Sequence, residues 1–429
     1  MQLTSVAEIR DPVHGYIRMT EAERQLVDSP FVQRLRRIHQ LAGSYLVYPG
    51  ATHTRFEHVI GTMHVAGQII ESLSRSFAMD EDVVQEVRIA GLLHDIGHGP
   101  FSHMYEEVLS VKVEKSHEDI SQRVILETSI RDILERNGYS PKKMSELAVG
   151  RRKTEPFMNE IIAGSLSADM MDYLPRDSYF TGVEYGKVDA QRVIDSLHVA
   201  GGHLVIDDAA LYAFEALLLA RYEMFKAVYF HRTVRAAELM LVRSMQLADD
   251  VLGLTDLSDL DRYLDLTDEV VLHKLVTLQP SSPDLKEAKR LALDFRDRHL
   301  LKCAFERVIQ RKEGKVGRIF ADEGARAQIV SGIARTARIK PGKLYLDVPT
   351  TPSVPYTYSK EVLKAISLLK DEGNRRVVKA VPLTDLSLVG SIAGFMDMLR
   401  VYTTSENRDA VARITNQLFN DEKFLASMT

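Results

Sequence analysis

The sequence predicts a mainly α protein in three parts: a helical core over residues 1–250, an appended helical region over 251–325 and a small α+β domain over 326–429. Three observations carry this reading. Apolar residues recur three and four apart through most of the first 250 positions. Strand-like runs are few until about Gln328, and beyond it short β-branched runs alternate with helical periods. A chain of 429 residues also exceeds the size at which one hydrophobic core stops growing, so division into domains is the natural prior.

Between Thr20 and Asp250 the segments FVQRLRRIHQLA, RFEHVIGTMHVAGQIIESLSRSF and DVVQEVRIAGLLHDIGH have helical period. Punctuation separates them. Asp28-Ser29-Pro30 starts a helix with Asp28 as a candidate N-cap, Tyr48-Pro49-Gly50 makes a turn, and Gly97 to Pro100 stops a helix. Ser258 to Gly314, rich in Leu and charged residues, reads as further helix. After Gln328, KLYLDV, RRVVKAV and LRVYTT read as strands, EVLKAISLLK and RDAVARITNQLF as helices, and Thr350-Thr351-Pro352-Ser353-Val354-Pro355 as a surface loop.

Apolar residues make up 45% of the chain, enough for sizeable cores. With 55 basic and 60 acidic residues the net charge is -5, which gives no global attraction to nucleic acid or to a membrane surface. The run Arg151-Arg152-Lys153 reads as a solvated surface strip. No basic segment followed by an apolar one opens the chain, and no stretch of about 18 apolar residues occurs in it, so a soluble, cytoplasmic protein is expected. Cys303 is the only cysteine, which excludes an intrachain disulfide and a thiolate-rich zinc site and fits a reducing compartment.

The stretch GLLHDIGHGPFSH, Gly91 to His103, carries the chemistry. His94 and Asp95 close an apolar helix side by side, and His98 lies one turn further on. His58 stands upstream in RFEHVIG and Asp169 downstream in LSADMMDYLPRDSYF. Any one of these histidines alone would more simply be structural. Adjacent ionisable groups on an apolar helix, however, are unfavourable to bury unless they are paired or hold a cation. Imidazole and carboxylate donors suit one transition metal per chain (Fe, Mn, Zn, Co or Ni), and hard oxygen ligands can recruit Mg²⁺ as a second metal.

The pattern of His58, His94-Asp95 and Asp169, with its flanking text DPVHGYI, QRLRRIHQLAGSYLVYPGATHTRFEHVIG, AGLLHDIGHGPFSHMYE, ADMMDYLPRDSYFTGVEYG and VYFHRTVRAAE, resembles the SAM-and-HD-domain deoxynucleotide triphosphohydrolases and their microbial relatives. The resemblance runs from Asp11 to about Glu238 and continues more loosely into the C-terminal region. It implies a helical HD-domain core, cleavage of a deoxynucleoside triphosphate into deoxynucleoside and inorganic triphosphate, and assembly as a dimer or tetramer. By the same resemblance His58, His94, Asp95 and Asp169 are the metal ligands, with Asp95 placed to bridge a second, Mg-type ion. His103 with Glu106 resembles the pair that protonates the departing 5′ oxygen, although the family usually carries Asp at the position of Glu106. A carboxylate partner is expected to keep that imidazole charged near neutrality. His98 and His117 match histidines that contact the phosphates. Arg55 and Arg221 match the guanidinium groups that grip the triphosphate. Gln40, Leu41, Tyr173 and Asp177 match residues around the sugar, which exclude a 2′-OH, and Tyr229 matches one near the base.

Met170 departs from the pattern, since the family carries a basic residue there on the phosphates. A deoxynucleoside monophosphate or another phosphate ester therefore stays open as substrate, and so does a nucleotide sensor that binds without turnover. Asp28, Gln33, Arg36 and Arg192 match residues that read an activating guanine nucleotide between subunits. Ala7 and Glu8 stand where the activated enzymes have Lys and Val, and basic residues expected near Asp207 and Ala209 are missing. The shared text begins almost at once, at Asp11-Pro12, so an N-terminal SAM domain is not expected.

Overall fold

Residues 3–77, 79–310, 323–348, 365–373, 375–386, 388 and 395–420 are described by a computed structural model. Strands β1 (Ala7–Asp11) and β2 (Gly15–Met19) pair as an antiparallel hairpin. Asp11 Oδ1 holds its turn, accepting from the Val13 and His14 amides at 2.9 and 2.8 Å. Helices α1 (Glu21–Val27) and α2 (Pro30–Arg34) follow. Ser29, not Asp28, caps α2: Pro30 keeps the preceding residue extended, so the Ser29 side chain accepts from the Val32 amide, while Asp28 closes α1. The helix expected over FVQRLRRIHQLA splits. A 3-10 turn at Leu35–Arg37 gives way to extended Ile38, the His39 amide donates to Asp268 instead of a helical carbonyl, and a second 3-10 turn spans Ala42–Leu46.

Helices α3 (Arg55–Ser74), α4 (Glu81–Leu93), α5 (His103–Lys112), α6 (His117–Glu127), α7 (Ser129–Arg136), α8 (Pro141–Ala148), α9 (Pro156–Ile162) and α10 (Ala168–Thr181) build the helical core, with α4 and α10 packed on α3. Gly61 permits the α3–α10 contact, because a Cβ there would fall 1.9 Å from Asp172 Oδ1 and 2.3 Å from Arg176 Nη2. Helix α11 (Ala190–Ile194) leads into a hairpin that periodicity does not announce, β3 (Leu197–Ala200) and β4 (His203–Asp207). Its turn uses Gly201 and Gly202 at φ +60° and +81°. Then come α12 (Leu211–Met224), a π-helical turn at Phe225–Tyr229, and α13 (Arg232–Leu252).

Helices α14 (Leu260–Leu264), α15 (Asp268–Thr277) and α16 (Pro283–Arg296) occupy the region expected to be helical, but it ends early. KCAFERVIQ forms strand β5 (Lys302–Gln310), because its aromatic and β-branched residues ladder against a distant strand rather than coil locally. Helix α17 (Glu323–Ala337) and strands β6 (Leu344–Asp347), β7 (Ala365–Glu372), β8 (Arg375–Pro382) and β9 (Phe395–Thr403) precede the last helix, α18 (Arg408–Asn420). The expectation of helix over EVLKAISLLK fails from Ala365 onward. There Ile366 and Leu368 alternate inward as β7 and bury against the helical core, while β7 runs parallel to β4 through Ile206 and Leu368. Residues 361–364, the loop expected at 350–355 and the segment 311–322 lie outside the described residues.

The sheets are β1-β2, β3-β4-β7-β8 and β5-β9-β6. One large core buries side chains from Ile17 to Tyr402 and takes in α14, α15 and α16 through Leu260, Tyr263, Leu275, Leu291 and Phe295. A second core lies under the three-stranded sheet, with Ile333, Leu344, Leu399, Val401 and Phe419. Buried Arg235 on α13 joins the two by donating to Asp347 on β6 and to Glu238, both at 2.9 Å. Among the described residues no helix is long and apolar enough to cross a membrane.

Candidate active site

Helix α4 stops at Leu93, so His94 and Asp95 sit in a turn at its C-terminal end, facing His58 on α3 and Asp169 in the first turn of α10. His58 Nε2 lies 3.2 Å from Asp169 Oδ1 and 3.6 Å from Asp95 Oδ2. His94 Nε2 lies 3.3 Å from Asp95 Oδ1 and 3.8 Å from Asp169 Oδ1. The other ring nitrogens are engaged: His58 Nδ1 pairs with Asp172 Oδ2 at 2.8 Å and His94 Nδ1 with the Gly91 carbonyl at 2.9 Å. That arrangement fixes each ring so that Nε2 presents its lone pair to the shared centre. Both Nε2 atoms are buried without a hydrogen-bond partner among the described residues. Burial pushes the His58 pKa down, yet the Asp169 and Asp172 carboxylates outweigh it and raise it to about 10. The centre therefore demands a positive charge, and a divalent cation answers that demand together with the two orphaned nitrogens.

Asp95 is shared with a second group. Its Oδ1 is 3.4 Å from His98 Nε2, and Asp95, His98 and His117 offer ligand atoms close enough to hold an ion. Burial favours a neutral Asp95, but His94, Arg55 and His98 hold its carboxyl well below the usual range. Gly97 lets α6 come this near, since a Cβ there would meet the Ser121 amide at 2.2 Å and the His117 carbonyl at 2.3 Å. His117 consequently stacks on His98 with ring centroids 3.9 Å apart. Burial, Arg55 and His117 together push the His98 pKa well down, which leaves a neutral imidazole beside the carboxylate.

His103 opens α5 with 63% of its side chain exposed, and its Nδ1 pairs with Glu106 Oε2 at 3.1 Å. Glu106 Oε1 pairs in turn with His117 Nδ1 at 2.7 Å. Burial opposes ionisation of Glu106, but hydrogen bonds from His103 and His117 overcome it and keep the carboxylate charged. The ring of His103 stands edge-on to His98 at 5.1 Å, so an exposed imidazole with a fixed carboxylate partner borders the metal-ligand cluster.

A third group gathers further along α10, around Tyr173 and Asp177. Arg221 Nη1 donates to the Tyr173 hydroxyl at 2.5 Å and lies 3.9 Å from Met170 Sδ, while its buried Nε has no partner among the described residues. The Tyr229 hydroxyl donates to Asp177 Oδ2 at 2.6 Å from within the π-helical turn, a local irregularity that recurs at functional sites. Asp177 Oδ1 pairs with His53 Nε2 at 2.7 Å. Gln40 joins through its backbone amide, which donates to the His53 carbonyl at 3.1 Å, while its side-chain Oε1 is buried with no hydrogen-bond partner among the described residues. Leu41 is half-buried at the start of the Ala42–Leu46 turn. Arg55 is buried and committed to Asp95 and to Ser102 Oγ.

Asp28, Gln33 and Arg36 lie around the α1–α2 corner. Asp28 pairs with Arg24, Gln33 donates to the Val27 carbonyl at 2.8 Å, and the Arg36 guanidinium lies over Phe56. Arg192 sits elsewhere, on α11, its Nη2 3.4 Å from the Ala209 carbonyl. Within one chain these four do not form a single cluster.

Sequence reasoning passed over Asp172, Arg176, His14 and His53. Arg176 is fully buried, grips Asp172 through Nε and Nη2 at 2.9 and 2.7 Å, and reaches Asp11 at 2.7 Å. His14 Nε2 adds a 2.6 Å contact to Asp172. The spacing of Asp169, Asp172, Tyr173, Arg176 and Asp177 by threes and fours was a readable signal that all face the same way on α10.

A family model described as the HD domain matches residues 55–176, and one described as the HD associated region matches 188–425, more than half of the chain. The chain belongs to the HD-domain phosphohydrolase family. A hypothetical protein from Aquifex aeolicus has a similar structure, with a TM-score of 0.75, 30% identity and coverage of 95% of this chain and 99% of that one. The deoxynucleoside triphosphate triphosphohydrolase SAMHD1 homolog of Dictyostelium discoideum is 32% identical over 315 residues, covering 70% of this chain and 60% of the relative. The uncharacterized protein YwfO of Bacillus subtilis (strain 168) is 34% identical over 258 residues, 58% of each chain. The matches thus span only about half to three fifths of these relatives. His58, His94, Asp95 and Asp169 all fall inside the HD match, whereas Arg221 and Tyr229 come from the HD-associated region.

Asp172→Asn tests how the His58 ring is held. Because Asp172 fixes the ring through Nδ1, its loss is expected to weaken metal affinity by about 10- to 100-fold with the fold retained. Competition against a graded chelator measures this, and an unchanged affinity would show that Asp172 serves only to bury Arg176.

Proposed function

We propose that this HD protein hydrolyses deoxynucleoside triphosphates to deoxynucleoside and inorganic triphosphate. The observation that carries the reading is the convergence of His58, His94, Asp95 and Asp169, with two orphaned buried imidazole nitrogens, beside the exposed His103–Glu106 pair. These four residues would hold one transition metal, and Asp95 would be placed to share a second, Mg-type ion. When bound, such ions supply Lewis acidity, making water nucleophilic near neutral pH and stabilising charge on phosphoryl oxygens.

The chain's own residues do the rest. His98 and His117 face the phosphates, and Arg221 is the cation best free to grip them, because Arg55 is committed to Asp95. Gln40, Leu41, Tyr173 and Asp177 enclose the sugar, with Tyr229 toward the base. Tyr173 and Asp177 are held by Arg221, His53 and Tyr229, and so can crowd a 2′-OH without yielding. His103, oriented by Glu106, delivers the proton to O5′ as the bond to the α-phosphorus breaks. The reading includes a homo-oligomer, an activating nucleotide at Asp28, Gln33, Arg36 and Arg192, and a place in the reducing cytoplasm.

A second reading, a deoxynucleoside monophosphate or other phosphate ester as substrate, is favoured by buried Met170, which brings no charge to the phosphate side. Incubating metal-analysed protein with each dNTP, dNMP and NTP and separating the products by chromatography decides between them. The expected result is inorganic triphosphate from dNTPs in preference to NTPs. Equal rates on ATP and dATP would remove the sugar assignment, and turnover of monophosphates alone would establish the second reading.

A further inference from the structure

We infer that Asp268, on the first turn of α15, is a positioning residue for the loop that carries His98 and His103, so that the HD-associated region completes a site whose ligands lie in the HD domain. The inference rests on reading His103 as the proton donor. The loop turns the chain from the end of α4 into α5, and to do so it holds Phe101 and Ser102 in succession at φ +58° and +56°. L side chains adopt that conformation rarely, and it persists only where surrounding contacts over-determine it.

The loop's own polar groups show where those contacts come from. The Gly97 carbonyl accepts from the Tyr263 hydroxyl at 2.8 Å. The His98 carbonyl accepts from Arg34 Nη1 at 2.7 Å, and Nη2 of the same fully buried guanidinium reaches the Leu266 carbonyl, also at 2.7 Å. The Phe101 amide donates to Asp268 Oδ1 at 2.6 Å, and the Tyr105 hydroxyl donates to the Leu254 carbonyl at 2.6 Å. Leu254, Tyr263, Leu266 and Asp268 all belong to one stretch of the HD-associated region, laid across the loop like a strap.

Asp268 is the charged end of that strap and is only 3% exposed. Its Oδ2 accepts from the His39 amide at 2.9 Å and pairs with His39 Nδ1 at 2.7 Å. Ser102 Oγ then donates to the His39 carbonyl at 2.7 Å while accepting from Arg55 Nε at 2.8 Å. One carboxylate thereby fixes both strained residues, directly at Phe101 and through His39 at Ser102, and His103 follows immediately. Without it a buried amide is orphaned and the contact that ties the two strained residues to the strap is lost, so the two dihedrals relax more readily.

Asp268→Ala, Asp268→Asn and Tyr263→Phe form a graded series, assayed with dATP and with p-nitrophenyl triphosphate, whose leaving group needs little protonation. For Asp268→Ala, kcat on dATP is expected to fall about 10- to 100-fold, the scale of a misplaced catalytic group. KM and metal content should hold within a few-fold, p-nitrophenyl triphosphate should suffer less, and the amides of residues 97–105 should exchange faster with deuterium. Asp268→Asn keeps an acceptor for Phe101 but turns an N–H toward the His39 amide, so its loss should fall between those of the unaltered protein and Asp268→Ala. If alanine prevents folding, Tyr263→Phe carries the same exchange test with a smaller expected effect. Unchanged exchange in the loop overturns the proposal whatever the rate does. Faster exchange with equal losses on both substrates leaves the hold of Asp268 on the loop standing and overturns instead the role given to His103.

Discussion

Protein purified without added metal is expected to carry about one transition-metal equivalent per chain, and His94→Ala to lose that metal and its hydrolytic activity together. The reason is the charge balance of the centre: Asp95, Asp169 and Asp172 surround two imidazoles whose Nε2 atoms have no other partner among the described residues. Several kcal/mol of charge stabilisation depend on the ion, so the rate should drop by at least about 10³-fold. Asp95 needs a gentler substitution. Alanine there would strand Arg55, buried with its guanidinium on that carboxylate, and breaking a buried ion pair from one side destabilises by about 3–5 kcal/mol. Asp95→Asn keeps the shape and a hydrogen-bond acceptor for Arg55 while removing the charge, so its loss of metal can be read in a folded chain. Atomic emission on the two variants, with thermal unfolding alongside, makes the measurement. Full metal content in a His94→Ala, Asp95→Asn double variant would sink the assignment of the ligands.

What could be read in advance follows from how local each signal is. His94 and Asp95 are conspicuous because two ionisable groups side by side on GLLHD violate the apolar pattern around them, and the violation is visible without any neighbour. Asp268 and His53 carry no such mark. Asp268 is one acidic residue at a helix start, where acidic residues are ordinary, and it meets His39 and Phe101 only once the chain has folded. His53 precedes a helix in a polar stretch, and nothing near it announces Asp177. The same division runs through the fold. Long helices such as α3 and α13 declare themselves by period, whereas β7 reads as helix because its apolar residues are also spaced three and four apart, and only the ladder to β4 and β8 selects the extended form. β5 and β9 likewise become a sheet by a pairing between Lys302 and Thr403 that spans the HD-associated region.

His103→Ala is expected to lower turnover by at least about 10²-fold while metal content and dNTP affinity stay within a few-fold. When water attacks the α-phosphorus, the bond to O5′ breaks and the alkoxide leaves as a very strong base, so a positioned acid is worth about 10²- to 10⁴-fold. His103 is suited to the task by its 63% exposure, its Nδ1 contact to Glu106 and its place at the rim of the ligand cluster rather than in it. No ligand atom is lost with it, and Arg221 stands apart beside Tyr173, so binding of metal and of the triphosphate should survive. Glu106→Gln should do less harm, since it leaves the imidazole in place and removes only the carboxylate that orients it, although His117 loses the same partner. The informative comparison is p-nitrophenyl triphosphate, whose phenolate departs without a proton and should largely restore the His103→Ala rate. If the variant is equally impaired on both substrates, the imidazole contacts phosphate or supports the loop, and the proton reaches O5′ from elsewhere.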